Sequence, residues 1–272
     1  MSNQEAKQFG VSLIISTYNR PDALSVCLDS VFKQKVLPDE IIVGDDGSRS
    51  DTRKLIERMQ QLSPVPLIHV WHEDKGFRLA MMRNKAVAKA SGQYIIQIDG
   101  DVMLHPLFVA DHIRLSRPGY YLKGGRCNIE RQLTEKICRE AKSRRIYPWT
   151  KGISRAENSI HSSVLSGIFA PRYRRNKEMA LGCNMSFWKD DFLKVNGYDE
   201  NFEGWGREDS DLFFRIRALG VMKRHMKFAG IAFHLWHEDK FMDNFEQNDI
   251  YWKQRQANCI VYCEKGVDKY LK

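Results

Sequence analysis

Three groups of acidic and histidine residues lie far apart in the sequence, and their side chains could share one piece of chemistry. They are Asp99 and Asp101, Glu208 with Asp209 and Asp211, and His234 with His237. Carboxylate oxygens bind hard divalent cations, and an imidazole nitrogen in the same site suits Mn²⁺. A carboxylate that is not a metal ligand can take a proton from a hydroxyl group. The residue types therefore predict a cation site with a base nearby, if the fold brings the groups together.

Each group also has a plainer interpretation when it is taken alone. An Asp-x-Asp triplet such as 99–101 occurs in many solvated loops, and the two histidines would be ordinary buried or surface residues. Acids at the start of a helix are favoured by the helix dipole, so Glu208 and Asp209 could simply cap a helix. Trp205 favours a binding role, because an indole ring beside a carboxylate pair offers a face on which a pyranose can stack.

The segment before the Asp-x-Asp triplet favours a cation site. Residues 93–98 form a short, β-branched apolar run, which predicts a buried strand. A buried charge is costly unless it is paired or bound to a metal, so two carboxylates at the end of such a strand favour a cation. Gly100 lies between them and allows a sharp turn and the close approach of a ligand.

Strands and helices alternate through the first hundred residues. The apolar runs that predict strands lie at 9–16, 40–44, 66–71 and 93–98. Three helices are predicted between these strands. The first begins at 21 and the third at 77, and Ser50 or Asp51 is the predicted cap of the second. Such alternation predicts a parallel sheet, in which ligands bind beyond the carboxyl ends of the strands. Because three of these ends are polar, at 16–20, 45–48 and 99–101, we expect one shared site there.

The glycine motifs that hold nucleotide phosphates are missing from the sequence. No GxGxxG follows the first strand, and no GxxxxGK[ST] is present. A bound nucleotide would therefore need another way to hold its phosphates, and a divalent cation on an Asp-rich edge supplies one.

The pattern is weaker in the second half of the chain. Residues 117–177 mix short elements and predict an inserted subdomain or a mobile arm. The elements predicted after them are a strand at 179–188, a helix at 189–195, a helix at 212–219 whose first turn holds Asp209, a strand at 230–237 and a tail helix at 247–264.

Positive charge is concentrated in one segment of the chain. Residues 114–177 hold 16 Lys and Arg against 4 Glu, in a chain whose formal net charge is +9. Such a segment predicts an anionic partner, either a membrane surface, an anionic substrate or a nucleic acid, unless it is merely a solvated face. Without an RNA-recognition or helix-turn-helix signature, we expect no nucleic acid. The start of the chain lacks a signal-peptide core, which predicts a cytoplasmic protein.

Several motifs in order resemble those of a known enzyme family. They are STYNRP at 16–21, DDGS at 45–48, the run from KGFR to DGD at 75–101, GCNMSF at 182–187, GWGREDSDLFFR at 204–215 and HLWH at 234–237. The sequence resembles glycosyltransferase family 2 enzymes of the GT-A fold, over about 9–116 and 179–240. Its second part is similar to the catalytic half shared by animal β-1,4-galactosyltransferases and polypeptide N-acetylgalactosaminyltransferases. The resemblance implies an α/β fold with a mostly parallel central sheet flanked by helices.

The resemblance also implies roles for individual residues. Asp209 would be the general base, and Glu208 beside it would bind substrate hydroxyls. Asp101 and His237 would hold Mn²⁺ or Mg²⁺; His234 is a further candidate ligand, although its position is Met in the galactosyltransferases. The residues expected to contact the nucleotide are Thr17, Asn19, Arg20, Asp45, Asp46, Arg83, Asn84, Asp99 and Gly100. Those expected to contact the transferred sugar or its acceptor are Asn184, Trp205 and Gly206.

The implied activity is an inverting transfer of a hexose or N-acetylhexosamine from a UDP-sugar, with Gal or GalNAc slightly favoured. We expect a glycan or lipid-linked acceptor in surface polysaccharide synthesis, with 131–177 docking on the anionic inner face of the plasma membrane. The expected organisation is one catalytic domain over 1–240, comprising a nucleotide half (9–116), a basic insertion (117–178) and an acceptor half (179–240), followed by a helical tail (241–272). The alternatives are a sugar-phosphate nucleotidylyltransferase and a non-enzymatic module that binds anionic surfaces.

Overall fold

The computed structural model describes residues 9–170, 182–238 and 244–271. The strands are β1 Val11–Thr17, β2 Glu40–Asp45, β3 Leu67–Trp71, β4 Tyr94–Asp99, β5 Val102–Leu104, β6 Tyr120–Gly124, β7 Arg126–Ile129, β8 Ile153–Ser154, β9 Asn184–Trp188, β10 Met222–Met226 and β11 Ala232–His234. The helices are α1 Pro21–Phe32, α2 Ser50–Leu62, α3 Leu79–Lys89, α4 Phe108–Leu115, α5 Arg131–Glu140, α6 Ser163–Phe169, α7 Lys189–Lys194, α8 Glu208–Ala218 and α9 Phe245–Ala257.

The larger sheet has the order β10-β6-β9-β4-β1-β2-β3 among the described strands. Strands β1 to β4 pair in parallel, β9 runs antiparallel between β4 and β6, and β6 pairs in parallel with β10. Every residue of β1 is buried, as expected for a central strand covered on both faces. Leu13 and Ile15 pack with α1 and α2, whereas Ile14 packs with α3 and α8. The predicted α/β fold with a mostly parallel central sheet is confirmed.

A second, smaller sheet has the order β5-β11-β7-β8. In it, β11 pairs antiparallel with β5 and parallel with β7. Cys127 and Phe233 point into a hydrophobic core shared with α1 and α5. Because successive side chains of a strand alternate between its two faces, Arg126, Asn128 and His234 lie on the opposite face.

Part of the segment predicted as an insertion or arm, 117–178, belongs to the two sheets. β6 lies in the larger sheet and β7 in the smaller one, so the chain over 120–129 joins them. α5 packs on α1 through Ile137. The part of the basic segment beyond 170 lies outside the described residues, as does the start of the strand predicted at 179–188.

Element boundaries differ from the predictions at three places. Neither Ser50 nor Asp51 caps α2, because the helix already begins at Ser50 and its N-cap is Arg49. The strand predicted at 230–237 is shorter, since the chain turns after His234 and the amide of Leu235 donates to the carbonyl of Asp101. The tail helix begins earlier and ends at Ala257, ahead of a left-handed residue at 259.

None of the described helices is both long enough and apolar enough to span a bilayer.

Candidate active site

The carboxyl ends of β1, β2 and β4 meet the second sheet at the predicted edge. The turn after β4 packs tightly on β1: the amide of Gly100 donates to the carbonyl of Ser16 at 2.7 Å, and a Cβ on Gly100 would lie 3.1 Å from that oxygen. Asp101 then leads into β5, whose partner β11 ends at His234. The fold therefore joins the Asp-x-Asp turn to the histidine segment.

Asp101, His234 and His237 form a cluster that could hold a metal ion. Asp101 Oδ2 lies 3.7 Å from His234 Nε2 and 3.4 Å from His237 Nε2, and one ligand atom from each residue lies within 4.8 Å of the others. Asp101 Oδ1 is buried and makes no hydrogen bond to any residue in the described part of the chain. One carboxylate with two imidazoles is a ligand set that can hold a divalent first-row metal ion.

The protonation state of His234 agrees with a role as a metal ligand. Burial, followed by the charge of Arg126, lowers the pKa of His234 to about 4. Its imidazole is therefore neutral near pH 7, as a metal ligand must be. From the sequence, the role of His234 as a metal ligand was undecided. In the structure it lies beside Asp101, because β11 pairs with β5 and His234 is opposite Val102.

Glu208 and Asp209 lie in the first turn of α8, at the other side of the same sheet edge. The loop before them turns through positive φ angles at Gly206 (101°) and Arg207 (76°). The guanidinium of Arg83 contacts both acids, with Nη1 at 2.9 Å from Asp209 Oδ1 and 3.3 Å from Glu208 Oε1. The hydroxyl of Tyr198 also lies 2.9 Å from Asp209 Oδ1.

Arg83 links the acid pair to the Asp-x-Asp turn. Its Nη2 lies 3.2 Å from Asp99 Oδ1, and its guanidinium lies over the ring of Tyr198, 5.4 Å from the centroid. Arg83 is only 1% exposed. The expectation that Arg83 contacts the nucleotide stays a prediction. In this structure its donors point at three carboxylates, and it fixes the spacing between Asp99 and Asp209.

Burial dominates the electrostatics of these groups. It raises the pKa of Glu208 to about 7, and the charge of the neighbouring Asp209 acts in the same direction. Burial also raises the pKa of Asp99, against the opposing effect of Arg83. The pKa of Tyr198 is raised well above its usual value by burial and by Asp209, so its hydroxyl stays protonated. The positive charge of Arg83 thus offsets the negative charge of the acids around it.

Two asparagines predicted to contact ligands are buried inside the protein. The amide of Asn84 donates to the carbonyl of Tyr198 at 2.8 Å and accepts from its backbone N–H at 2.8 Å. The amide of Asn184 donates to the carbonyls of Gly125 and Gly230, both at 2.7 Å. Both side chains are fully buried. Both amides brace the fold in this structure, because their buried partners are satisfied. Their predicted ligand contacts stay a prediction.

Asp45 and Asp46, at the end of β2, are also paired within the protein. Asp45 Oδ2 lies 3.1 Å from His69 Nε2, and Asp46 Oδ1 lies 2.6 Å from His72 Nε2. Both aspartates are buried. A contact between either carboxylate and uracil or ribose would require one of these pairs to exchange its partner.

The loop after β1 presents three of the other residues predicted to contact the nucleotide. The hydroxyl of Thr17 is buried and makes no hydrogen bond within 9–170, 182–238 or 244–271, so it has capacity for a ligand. Asn19 adopts a positive φ of 48° and accepts a hydrogen bond from the amide of Arg49, which joins the loop to that of β2. Arg20 is part-exposed, beside Asp22, on the side of Asp101.

Trp205 and Gly206 lie on the loop that leads into the acid pair. Trp205 is 41% exposed, so a large part of its ring surface is open to a ligand. Its other contact is with Phe245 at the start of α9, with ring centroids 5.4 Å apart. The side chain of Asn248 donates to the carbonyl of Trp205 at 3.3 Å. The tail helix, which received no role from the sequence, therefore supports the loop that carries Trp205.

Three residues near the site were missed by sequence reasoning. They are Tyr198, which contacts the carboxylate of Asp209, and Arg126 and Asn128, which lie on the face of the smaller sheet that carries His234. The Gly124-Gly125 pair before Arg126 was a visible signal of close backbone packing. Tyr198 gave no such signal in the sequence, because only the fold brings it to Asp209.

Two family matches fall on the segments that form this site. Residues 12–127 match Glycosyl transferase family 2, and residues 163–238 match the N-terminal domain of galactosyltransferase. Together these two segments carry most of the motifs that resemble glycosyltransferases. The matches favour a glycosyltransferase over the nucleotidylyltransferase and the non-enzymatic module.

Related proteins match most of this chain but are longer. The chain is 28% identical over 227 residues to validoxylamine A glucosyltransferase from Streptomyces hygroscopicus subsp. limoneus, which covers 78% of this chain and 48% of that protein. It is 24% identical over 249 residues to chondroitin synthase from Escherichia coli, which covers 83% of this chain and 34% of that protein. The chain thus spans about half or less of the length of these relatives.

Solved structures share the fold at low sequence identity. The mannosyltransferase PcManGT from Pyrobaculum calidifontis, in complex with GDP-Man and Mn²⁺, has a TM-score of 0.57 and 18% identity over 86% of this chain and 59% of that one. GalNAc-T7, with UDP, GalNAc and Mn²⁺, has a TM-score of 0.62 and 15% identity over 90% of this chain and 48% of that one. The fold of this chain is GT-A.

Proposed function

We propose that this chain is an inverting glycosyltransferase that uses a divalent cation. It moves a hexose or N-acetylhexosamine from a UDP-sugar to a hydroxyl of a glycan or lipid-linked acceptor in surface polysaccharide synthesis. The observation that carries the proposal is the bridge made by Arg83, which contacts Asp99 on the turn of the metal cluster and Asp209 at the start of α8. A site for the donor diphosphate and a base for the acceptor therefore share one sheet edge at a fixed spacing.

The residues that would hold the cation are Asp101, His234 and His237. The unsatisfied Oδ1 of Asp101 and the neutral imidazole of His234 fit this role. A bound Mn²⁺ or Mg²⁺ supplies positive charge where the diphosphate gains negative charge as the sugar leaves. Asp99 stays beside Arg83, which leaves Asp101 as the carboxylate of the cluster.

Asp209 is the base in this proposal. Arg83 and Tyr198 both contact its Oδ1, which orients the carboxylate. The acceptor hydroxyl gives its proton to Asp209, and its oxygen forms a bond to the anomeric carbon. The bond from that carbon to the diphosphate oxygen breaks, and the electron pair leaves with UDP. One displacement from the face opposite the leaving group inverts the anomeric centre.

Neighbouring side chains would position the sugars. Glu208 lies beside the base and, with its pKa near 7, can exchange hydrogen bonds with a hydroxyl in either protonation state. The exposed ring of Trp205 offers an apolar face to a pyranose. Support for a UDP-sugar comes from the similarity of the GWGREDSD segment to galactosyltransferases and from GalNAc-T7, whereas PcManGT was solved with GDP-Man.

The basic segment would place the enzyme near a lipid-linked acceptor, on the cytoplasmic side of the membrane. Its described part carries exposed apolar side chains: Trp149, between Arg145 and Lys151 in the sequence, is 78% exposed, and Val164 is 73% exposed. Aromatic and apolar side chains among basic ones are suited to an anionic bilayer surface. Vesicle co-sedimentation with and without anionic lipid tests this docking, and equal binding to neutral vesicles would contradict it.

The substitution Asp209→Asn tests the proposal. It keeps the size of the side chain and removes the base, so we expect transfer to fall by about 10²- to 10⁴-fold. Binding of UDP with Mn²⁺, measured by calorimetry, should stay close to that of the wild type. Asp190→Asn, the same change at an exposed position of α7, is the matched control. Transfer at the wild-type rate by the Asp209→Asn variant would contradict the assigned base.

A further inference from the structure

The backbone of Arg126, the first residue of β7, is fixed from two sides. The carbonyl of Gly125 accepts a hydrogen bond from the buried amide of Asn184 at 2.7 Å. The carbonyl of Arg126 itself accepts from the amide of Asn158 at 3.0 Å. In the pairing of β7 with β11, Arg126 lies beside Ala232, two residues before His234. The structure thus sets Arg126 firmly against the strand that supplies one of the candidate metal ligands.

Two buried polar atoms on this face of the smaller sheet lack a hydrogen-bond partner among the described residues. Arg126 Nε and Asn128 Oδ1 are buried and make no hydrogen bond to the residues that the structure describes. The same holds for Asp101 Oδ1 across the metal cluster. An unsatisfied buried donor or acceptor costs about 1–3 kcal/mol, so folded proteins rarely keep several together. A fixed backbone that carries unsatisfied polar atoms indicates a site for a ligand.

We propose that Arg126 binds the phosphate oxygens of the nucleoside diphosphate, beside the cation held by Asp101, His234 and His237. The proposal deepens the proposed function and rests on it, since it names a further residue of the same donor site. A guanidinium is always protonated and presents several N–H donors in one plane, which matches the oxygens of a phosphate. Arg126 would therefore hold the diphosphate in the donor and in the leaving group.

The position of Arg126 favours the donor phosphate over an anionic group on the acceptor. The acceptor must reach Asp209, and the positive charge at that acid is supplied by Arg83. Arg126 lies instead on the face of the smaller sheet that carries His234, one of the candidate metal ligands. Arg83 therefore serves the base, Asp209, and Arg126 serves the metal cluster.

The test compares Arg126→Met with the wild type in binding experiments that do not depend on turnover. Calorimetry at saturating Mn²⁺ measures the affinity for UDP, and ligand-observed NMR measures the affinity for uridine, which has no phosphate. Loss of a charged hydrogen bond should weaken UDP binding by about tenfold to a hundredfold. Uridine affinity should stay unchanged. Arg126→Lys keeps the charge without the planar fork, and we expect an intermediate loss. Arg139→Met, at an exposed position of α5, is the matched control.

Other outcomes would overturn the proposal. Equal loss of UDP and uridine affinity would mean that Arg126 only maintains the shape of the site. Unchanged UDP affinity with a raised KM for the acceptor would assign Arg126 to the acceptor instead. A wild-type protein that binds neither UDP nor GDP with Mn²⁺ would refute the proposed function as well. If the wild type binds UDP and the Arg126→Met variant binds it with the same affinity, only the role of Arg126 is refuted.

Discussion

Arg83→Met is the substitution whose effect on stability can be worked out most directly from the structure. The side chain of Arg83 is 2% exposed and lies 2.9 to 3.3 Å from Asp99, Glu208 and Asp209. Methionine has a similar length but no charge, so three acids would lose their shared cation. Removing one partner of a buried ion pair costs about 3–5 kcal/mol, and we expect the free energy of unfolding at pH 8 to fall by that amount. For a chain of this size the loss lowers Tm by about 10 °C.

The pH dependence of this loss separates the ion pairs from simple packing. Burial already raises the pKa values of Asp99 and Glu208, and without Arg83 they rise further in the folded state, whereas those of the unfolded chain keep their ordinary values. The folded variant then binds more protons than the unfolded chain below about pH 7, so its stability increases as the pH falls. Denaturant unfolding at pH 8 and pH 6 should show a smaller deficit at pH 6, with Arg139→Met as an exposed control. A variant as stable as the wild type at pH 8, or a deficit that grows on acidification, would refute this reasoning.

Two further predictions concern the same framework. Gly124→Ala should lower stability by about 1–3 kcal/mol in urea unfolding, because overpacking strains a buried site and the new Cβ would lie 2.2 Å from Asn184 Nδ2. Gly167→Ala, where a Cβ meets no atom within 4 Å, is its control, and equal stability of the two variants would count against the packing described for Asn184. Glu208→Gln should flatten the pH dependence of stability between about pH 5 and 7: the folded pKa of Glu208 is raised to about 7, so its ionisation destabilises the wild type as the pH rises. An unchanged pH profile of stability in the Glu208→Gln variant would show that Glu208 titrates outside this range.

The first half of the fold was predictable because each strand there is a continuous apolar run between polar turns. Strands β1 to β4 lie within two residues of the predicted ranges, and the parallel order follows from their alternation with helices. In the second half, β9 lies within a predicted strand, but β6 and β10 were not predicted, since they are short and gain their burial from partners far along the chain. β6, for example, pairs with β9 and β10, which lie about 60 to 100 residues away.

The candidate site was predictable where residue type alone carries the chemistry. Asp101, His234 and His237 were chosen as metal ligands and do lie together, although their function is still a proposal. The sequence did not reveal that Asn84 and Asn184 brace buried backbone, because an amide in that role looks the same in one sequence as an amide that binds a ligand. It also gave no account of Arg83 as a bridge, since two of its partners, Glu208 and Asp209, are more than a hundred residues away.

The most direct test of the central claim is the release of UDP from a panel of UDP-sugars in the presence of Mn²⁺, with GDP-mannose included. Our account predicts release from at least one UDP-sugar, loss of that release with EDTA, and loss in Asp101→Asn, which removes the carboxylate of the metal cluster. Release that continues with EDTA, or that the Asp101→Asn variant retains in full, would contradict the assignment of Asp101, His234 and His237 to a catalytic cation.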